Sequence, residues 1–270
     1  MDSHKIGIGE SSVKFALRIF AAILALAGLP GTSLAQKQEA RVAAAADLNF
    51  AMAELSSQFE SATGTKIYVT YGSSGNFFTQ LQNGAPFDLF FSADIDYPRK
   101  LETAGFAEPA TLYQYAVGRI VIWAPRESNV DVAKLGWQAL LDPRVQKIAI
   151  ANPDHAPYGH AAVAAMQKAG IYDQVKPKLV FGENISQAAQ FVQSGNAQAG
   201  IVALSLAISP AMKDGKSWEI PADMHSPIEQ GGIVLKDAKN KEPARAFLNF
   251  VKSKAGQKIL EKYGFATPAP

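Results

Sequence analysis

The chain has 270 residues, no cysteine, 48% hydrophobic and 19% charged residues, and a formal net charge of +2. This composition is globular rather than disordered, and without cysteine there is no disulfide framework, so the fold must hold by burial alone. A charge near zero and the lack of any basic tract leave no electrostatic footprint for nucleic acid.

Lys14 and Arg18 precede an apolar stretch from Ile19 to about Pro30, followed by "TSLA", which places Ser33 and Ala35 at the −3 and −1 positions of a signal-peptidase site. A run of about a dozen apolar residues is too short for a bilayer span, which takes about 20. Residues 1–35 therefore read as a cleaved signal peptide, the alternative being a buried N-terminal core helix. No cysteine at the cleavage point offers a lipid anchor. The expected product is soluble and free in a Gram-negative periplasm.

From there, short apolar runs alternate with helical stripes. "RVAAAA" (41–46) reads as a buried strand, and Leu48, Met52, Leu55 and Phe59 then recur at helical spacing. "KIYVTY" (66–71) is the next strand, with a helix through Phe77, Phe78 and Leu81 beyond the turn "GSSG". "FDLFFSA" (87–93) is a third strand, too apolar for exposure on either face. "YAVGRIVIWA" (115–124) reads as one strand of about ten residues. "KIAIA" (147–151) leads into a helix ending at Gly170. "KLVF" (178–181) leads into a helix closed by Gly195 at C′. "AGIVAL" (199–204) and "GGIVL" (231–235) are further strands, and two helices near 242–253 and 254–263 finish the chain. Such alternation predicts α/β architecture, a parallel sheet covered by helices on both faces.

The segments 115–124 and 222–232 look like two crossings of one boundary. They divide the chain into a discontinuous first lobe, 36–118 plus 228–270, and a second lobe, 119–227, around a hinged cleft. This division rests partly on the resemblance given below; the pattern by itself yields α/β with one or two lobes. Ligands in such folds sit beyond the strand C-termini, where helices begin.

Four strand-to-helix junctions carry the chemistry: "AADLN" (45–49), "GSSGN" (72–76), "APYGH" (156–160) and "GENISQ" (182–187). Each offers free backbone N–H groups and the positive end of a helix dipole, which together bind an anion without a full positive charge. Gly-Ser-Ser-Gly is one residue short of a nucleophile elbow, so a secreted serine hydrolase using Ser74 is one reading and a plain Ser73 N-cap another. A serine presented to an anion also accounts for Gly75, whose missing Cβ lets a ligand approach the backbone; this reading is preferred for Ser74. His155 and His160 are five apart and read as surface histidines rather than metal ligands. Asp88, Asp94 and Asp96 read as strand-end caps. The three tryptophans, Trp123, Trp137 and Trp218, fall in the second lobe, where Trp123 is either a reporter of closure or part of the core.

"GAPFDLFFSAD" (84–94), "NPDHAPYG" (152–159), "GENISQAAQFVQSGNAQAGIVALS" (182–205) and "YGFATP" (263–268) are similar, in order and spacing, to the molybdate-binding periplasmic proteins of ABC transporters. The resemblance runs from about Arg41 to the C-terminus. It implies a type II periplasmic binding protein fold, two α/β lobes joined by two crossover strands. It also implies a ligand, molybdate or tungstate, held by neutral donors and delivered to an inner-membrane ABC permease. No enzymatic activity, cofactor or nucleic acid is implied, and a monomer is expected. Carried over by position, the oxyanion contacts fall on Asp47, Ser74, Tyr158 and the backbone N–H of Ile185, with Ser73 and Asn49 as additional candidates. Molybdenum is then carried inside its own oxyanion through these same residues. Two departures stand out. Some relatives of this kind have tyrosine where Ala203 stands, a loss Tyr158 can cover, and many have serine or threonine-asparagine at Asp47. A carboxylate facing a dianion would repel it, so Asp47 is expected to cap its own helix while its N–H, or Asn49, faces the ligand; exchange for serine would then leave affinity similar or better. Other tetrahedral anions, sulfate or phosphate, are the alternatives, phosphate because Asp47 can accept a ligand's proton.

Overall fold

The computed structural model describes residues 1–2 and 38–268. The signal peptide expected over 1–35 falls, apart from its first two residues, outside the described residues. In chain order the strands are β1 (Glu39–Ala45), β2 (Lys66–Gly72), β3 (Leu89–Ser92), β4 (Tyr113–Gly118), β5 (Ile120–Ala124), β6 (Ile148–Ala151), β7 (Leu179–Gly182), β8 (Ala199–Ala203), β9 (Lys216–Glu219) and β10 (Ile228–Val234). The helices of eight residues or more are α1 (Asn49–Thr63), α2 (Ser74–Gln82), α3 (Asp96–Thr103), α4 (Pro157–Lys168), α5 (Ile185–Gln193), α6 (Lys241–Lys252) and α7 (Lys254–Lys262). Among the described residues no helix is long and apolar enough to cross a membrane.

The strands form two sheets, ordered β2-β1-β3-β10-β4 and β7-β6-β8-β5-β9. Within the first, β1 is parallel to β2 and β3; within the second, β6 is parallel to β7 and β8. These are the strands joined by helical crossovers. In contrast, β10 runs antiparallel to β3 and β4, and β5 antiparallel to β8 and β9. The parallel sheet expected from the alternation is thereby corrected to two mixed sheets. A strand entered from the other lobe is not tied to a βαβ crossover, and its direction is free.

Period-two side-chain alternation splits the first sheet's core in two. Leu89 and Phe91 pack on one face with Val42, Leu55 and Phe247, whereas Phe90 packs on the other with Phe77, Leu101 and Ile233. In the second sheet β5, β6 and β8 are buried along their whole lengths. Trp123 belongs to that core, its indole N–H donating to the Met212 carbonyl at 3.1 Å.

The expected ten-residue strand is two strands in different sheets, broken at Arg119. Apolar residues on both sides of Gly118-Arg119 hide the division, because the ends of the two strands that flank it are largely buried. Gly118 ends β4, and the Arg119 guanidinium turns outward to a bidentate pair with Glu219 at 2.7 and 2.6 Å. The chain crosses between sheets here and again between Glu219 and Ile228.

Asp88 is 3% exposed and ties three segments together. Its carboxylate accepts from the N–H of Arg41 at 2.8 Å, from the N–H of Asn240 at 2.9 Å and from the Asn240 amide at 3.1 Å, so it caps the start of α6 from across the sheet. Replacing Asp88 with alanine leaves those donors without their partner in a partly buried site. The unfolding free energy should fall by about 2–4 kcal/mol, read as a lower urea midpoint at unchanged slope.

Candidate functional site

The four junctions are far apart in sequence and meet at one place. A cavity of about 10 Å³ is lined by Ala45, Ala46 and Asp47 from the first, Gly72, Ser73 and Ser74 from the second, Ala156, Pro157 and Tyr158 from the third, and Asn184 and Ile185 from the fourth, with Ala93 beside them. That volume holds about one water, and its lining contains no lysine or arginine. Ser74 and Ile185 are the first residues of α2 and α5, so their N–H groups belong to the four per helix without an intrahelical acceptor. The Asn184 side chain accepts from the Gln187 N–H at 3.1 Å and so fixes the start of α5. Asp47, Ser73, Ser74, Tyr158 and Ile185 are thus brought together. Asn49 is not: it lies outside the lining, and its carbonyl accepts from the Tyr71 hydroxyl at 3.3 Å.

Asp47 is 1% exposed and sits in a 3-10 turn, Ala46–Leu48. It makes no capping hydrogen bond to its helix, contrary to expectation, the carboxyl being turned toward Tyr158 and Gln230 instead. Oδ2 accepts from the Tyr158 hydroxyl at 2.9 Å and from the Gln230 amide at 2.7 Å, while Oδ1 is buried without a partner. Gln230 also donates to Tyr158 Oη at 2.9 Å and accepts from the Tyr115 hydroxyl at 2.7 Å. Burial pushes the Asp47 carboxyl up to about 6, against the downward pull of hydrogen bonds from Gln230, Tyr158 and, more weakly, the backbone N–H groups of Asp47 and Leu48. Burial likewise holds the phenols of Tyr115 and Tyr158 well above their ordinary range. Room for the Tyr158 hydroxyl depends on Gly118, where a Cβ would lie 2.3 Å from it.

The second junction closes against the third. Ser73 holds the N-cap position of α2, yet its hydroxyl pairs with His155 Nδ1 at 2.9 Å instead of capping. His155 is therefore not a free surface histidine. Its carbonyl accepts from the Gly75 N–H at 3.0 Å, and a Cβ at 75 would stand 2.7 Å from that oxygen. The expectation that Gly75 opens the backbone to a ligand is corrected: its missing Cβ admits the other lobe. Asn76 and Glu183 extend this latch. On the far side, Ser186 and Ser205 donate to the carbonyls of Ala46 and Asp47 at 2.9 and 2.8 Å. Ser74, fully buried, accepts from the Ala93 N–H at 2.9 Å. A hydroxyl used as acceptor keeps its proton to donate.

Gln230, Tyr115 and His155 escaped the sequence reading. The signal for Gln230 was an amide inside "IEQGGIV", an odd residue for a buried strand. The register of β10 against β4 shifts between Gln230 and Gly231, and such bulges re-aim side chains. A larger groove of about 580 Å³ runs beside α3 and α4, but Asp94, Asp96 and Glu229 line it, which is the wrong sign for an anion. Among the described residues no group of three or more His, Cys, Asp or Glu is placed to hold a metal ion.

Residues 40–266 match the bacterial extracellular solute-binding protein family. The chain is 38% identical to the molybdate-binding protein ModA of Rhodobacter capsulatus over 94% of its own length and 99% of that protein's. It is 39% identical to the Azotobacter vinelandii protein of the same name, covering 86% and 91%. The solved periplasmic molybdate-binding protein from Azotobacter vinelandii superposes with a TM-score of 0.80 at 32% identity, covering 85% of this chain and all of that one.

Two outcomes follow from the geometry. The folded protein holds the Asp47 proton more tightly than the unfolded chain, so the contribution of Asp47 to the stability of the ligand-free protein should be lost as pH rises from 3.8 to about 6 and stay level above. The loss attributable to Asp47 is about 3 kcal/mol, and urea unfolding of Asp47→Asn should lack it. Gly75→Ala should hold the lobes apart, seen as a larger radius of gyration by small-angle scattering under saturating ligand.

Proposed function

The chain belongs to the family of bacterial extracellular solute-binding proteins, and on that premise we propose that it captures molybdate, and tungstate with it, in the periplasm for an inner-membrane ABC permease. The observation that carries this reading is the convergence of four helix starts on one small cavity lined without a cation. Molybdate is a fully ionised tetrahedral dianion at neutral pH, with no proton to donate, so a cavity of donors suits it. Backbone N–H groups of Ser74 and Ile185 and the Ser74 hydroxyl are the donors we assign. Each charge-assisted hydrogen bond contributes about 1.5–3 kcal/mol. The three assigned here supply about 5–9 kcal/mol gross, so nanomolar binding, about −12 kcal/mol, calls for further N–H donors from the same helix starts. Both walls of the cavity come from one chain, which supports a monomeric receptor. The signal-peptide pattern supports export.

The family is one of transport receptors rather than enzymes. In keeping with that, Ser74 is bonded to a backbone N–H and not to a base. Asp47 favours a second reading, hydrogen phosphate, whose own proton an ionised carboxylate would accept. Calorimetric titration with molybdate, tungstate, sulfate and phosphate separates the two. Saturation near one equivalent by molybdate and tungstate, with no heat from sulfate or phosphate, is expected; saturation by phosphate alone would establish the second reading.

A further inference from the structure

We propose that Asp47 meets the oxyanion as a neutral carboxylic acid, donating a hydrogen bond from Oδ1, so that each anion captured takes up one proton from solvent and each release returns it. This rests on the reading of the cavity as an oxyanion site. The two carboxyl oxygens are not equivalent. Oδ2 accepts two hydrogen bonds, from Tyr158 and Gln230, which fills the two lone pairs of a carbonyl oxygen. Oδ1 is buried and has no partner in hydrogen-bond geometry, the N–H groups of Asp47 and Leu48 approaching the carboxyl only weakly, and that is the oxygen that would carry the proton.

The surrounding protons leave little choice. Tyr115 has one hydroxyl hydrogen and lies 2.7 Å from Gln230 Oε1 and 3.1 Å from the Ser92 carbonyl. With Oε1 accepting, the Gln230 amide nitrogen faces Asp47 and Tyr158. Tyr158 accepts from that nitrogen and spends its own hydrogen on Oδ2. Its hydroxyl therefore has nothing left to donate to an anion, and Tyr158 positions Asp47 instead of gripping the ligand. The titratable groups facing Asp47 are Tyr158 from α4 and Tyr115 from β4, both kept neutral by burial. Gln230 from β10 and Ser205, which bonds the Asp47 carbonyl, carry no charge. His155 touches Ser73, with Glu183 on its far nitrogen at 3.7 Å. No cation pairs with Asp47 among the described residues. An ionised Asp47 would thus face a dianion unscreened, whereas the acid adds one more neutral donor; a buried carboxyl kept protonated for donation is an established device in enzyme sites.

The test is calorimetry of the whole exported protein with sodium molybdate at pH 7.5, in buffers of different ionisation enthalpy. About one proton taken up per anion by the wild type, and none by Asp47→Asn, is the expected result. Wild-type affinity should also fall about tenfold per pH unit above about 6, while the variant's stays flat. Molybdate binding without net proton uptake overturns the proposal and leaves the molybdate reading standing. Equal uptake by wild type and variant overturns it too, since the proton then sits elsewhere. Absence of molybdate binding at any pH from 5.5 to 8 overturns the reading itself and the proposal with it. Should the asparagine variant fail to fold, Asp47→Ser replaces it, with the same loss of proton uptake expected.

Discussion

The Asp47 carboxyl lies in the seam between two lobes with an amide and a phenol as its side-chain partners and no cation. A buried charge without a cation is costly unless hydrogen bonds and neighbours accommodate it, and much of the local structure follows from that need. The bulge in β10 turns Gln230 inward, Tyr115 orients the Gln230 amide, and Gly118 clears space for Tyr158. These residues come from β10, β4 and α4 and meet Asp47 in the 46–48 turn, so the network forms only when both sheets are built and the lobes have met. Its Oδ1 stays unmatched, leaving the seam one polar group short of completion.

The same dryness gives the helix starts their strength. Backbone N–H groups and helix dipoles are weak in water and much stronger where water is excluded. A permanent lysine or arginine would hold an anion too, but it would attract every anion and pair with Asp47 in the ligand's absence. Neutral donors avoid both outcomes. Closure is what excludes water. The contacts that close it are few and directional: Gly75 on His155, Ser73 on His155, and Ser186 and Ser205 on the 46–48 turn. Bonds of about 1 kcal/mol each make a latch that a bound ligand can tip and a partner can undo.

Legibility followed locality. The strands "FDLFFSA" and "KIAIA" and the terminal helices stand within a residue or two of where apolar spacing put them, because burial on both faces leaves a continuous run and burial on one face a stripe. All four junctions were legible as helix starts, since small and polar residues after a strand announce them. The division of 115–124 into two strands was not, because no property of "GRI" distinguishes a crossing from a continuation. Gly75 shows the limit from another side. Its lack of a side chain was visible, but whether the space serves a ligand or a neighbouring carbonyl depends on what stands opposite. Gln230 and His155 entered the site unannounced for the same reason, their partners lying in other elements.

What the amino-acid order determined by itself was the set of local parts: strands, helices, and turns rich in free donors. These depend on neighbours within a few residues, through periodicity, capping and backbone sterics. Tertiary structure alone decided which proton points where. Asp47 reads as a helix cap in isolation and becomes a buried acid only when Tyr158, 111 residues away, and Gln230, 183 residues away, close over it. Desolvation is a property of everything that surrounds a group, and no local stretch of chain contains it.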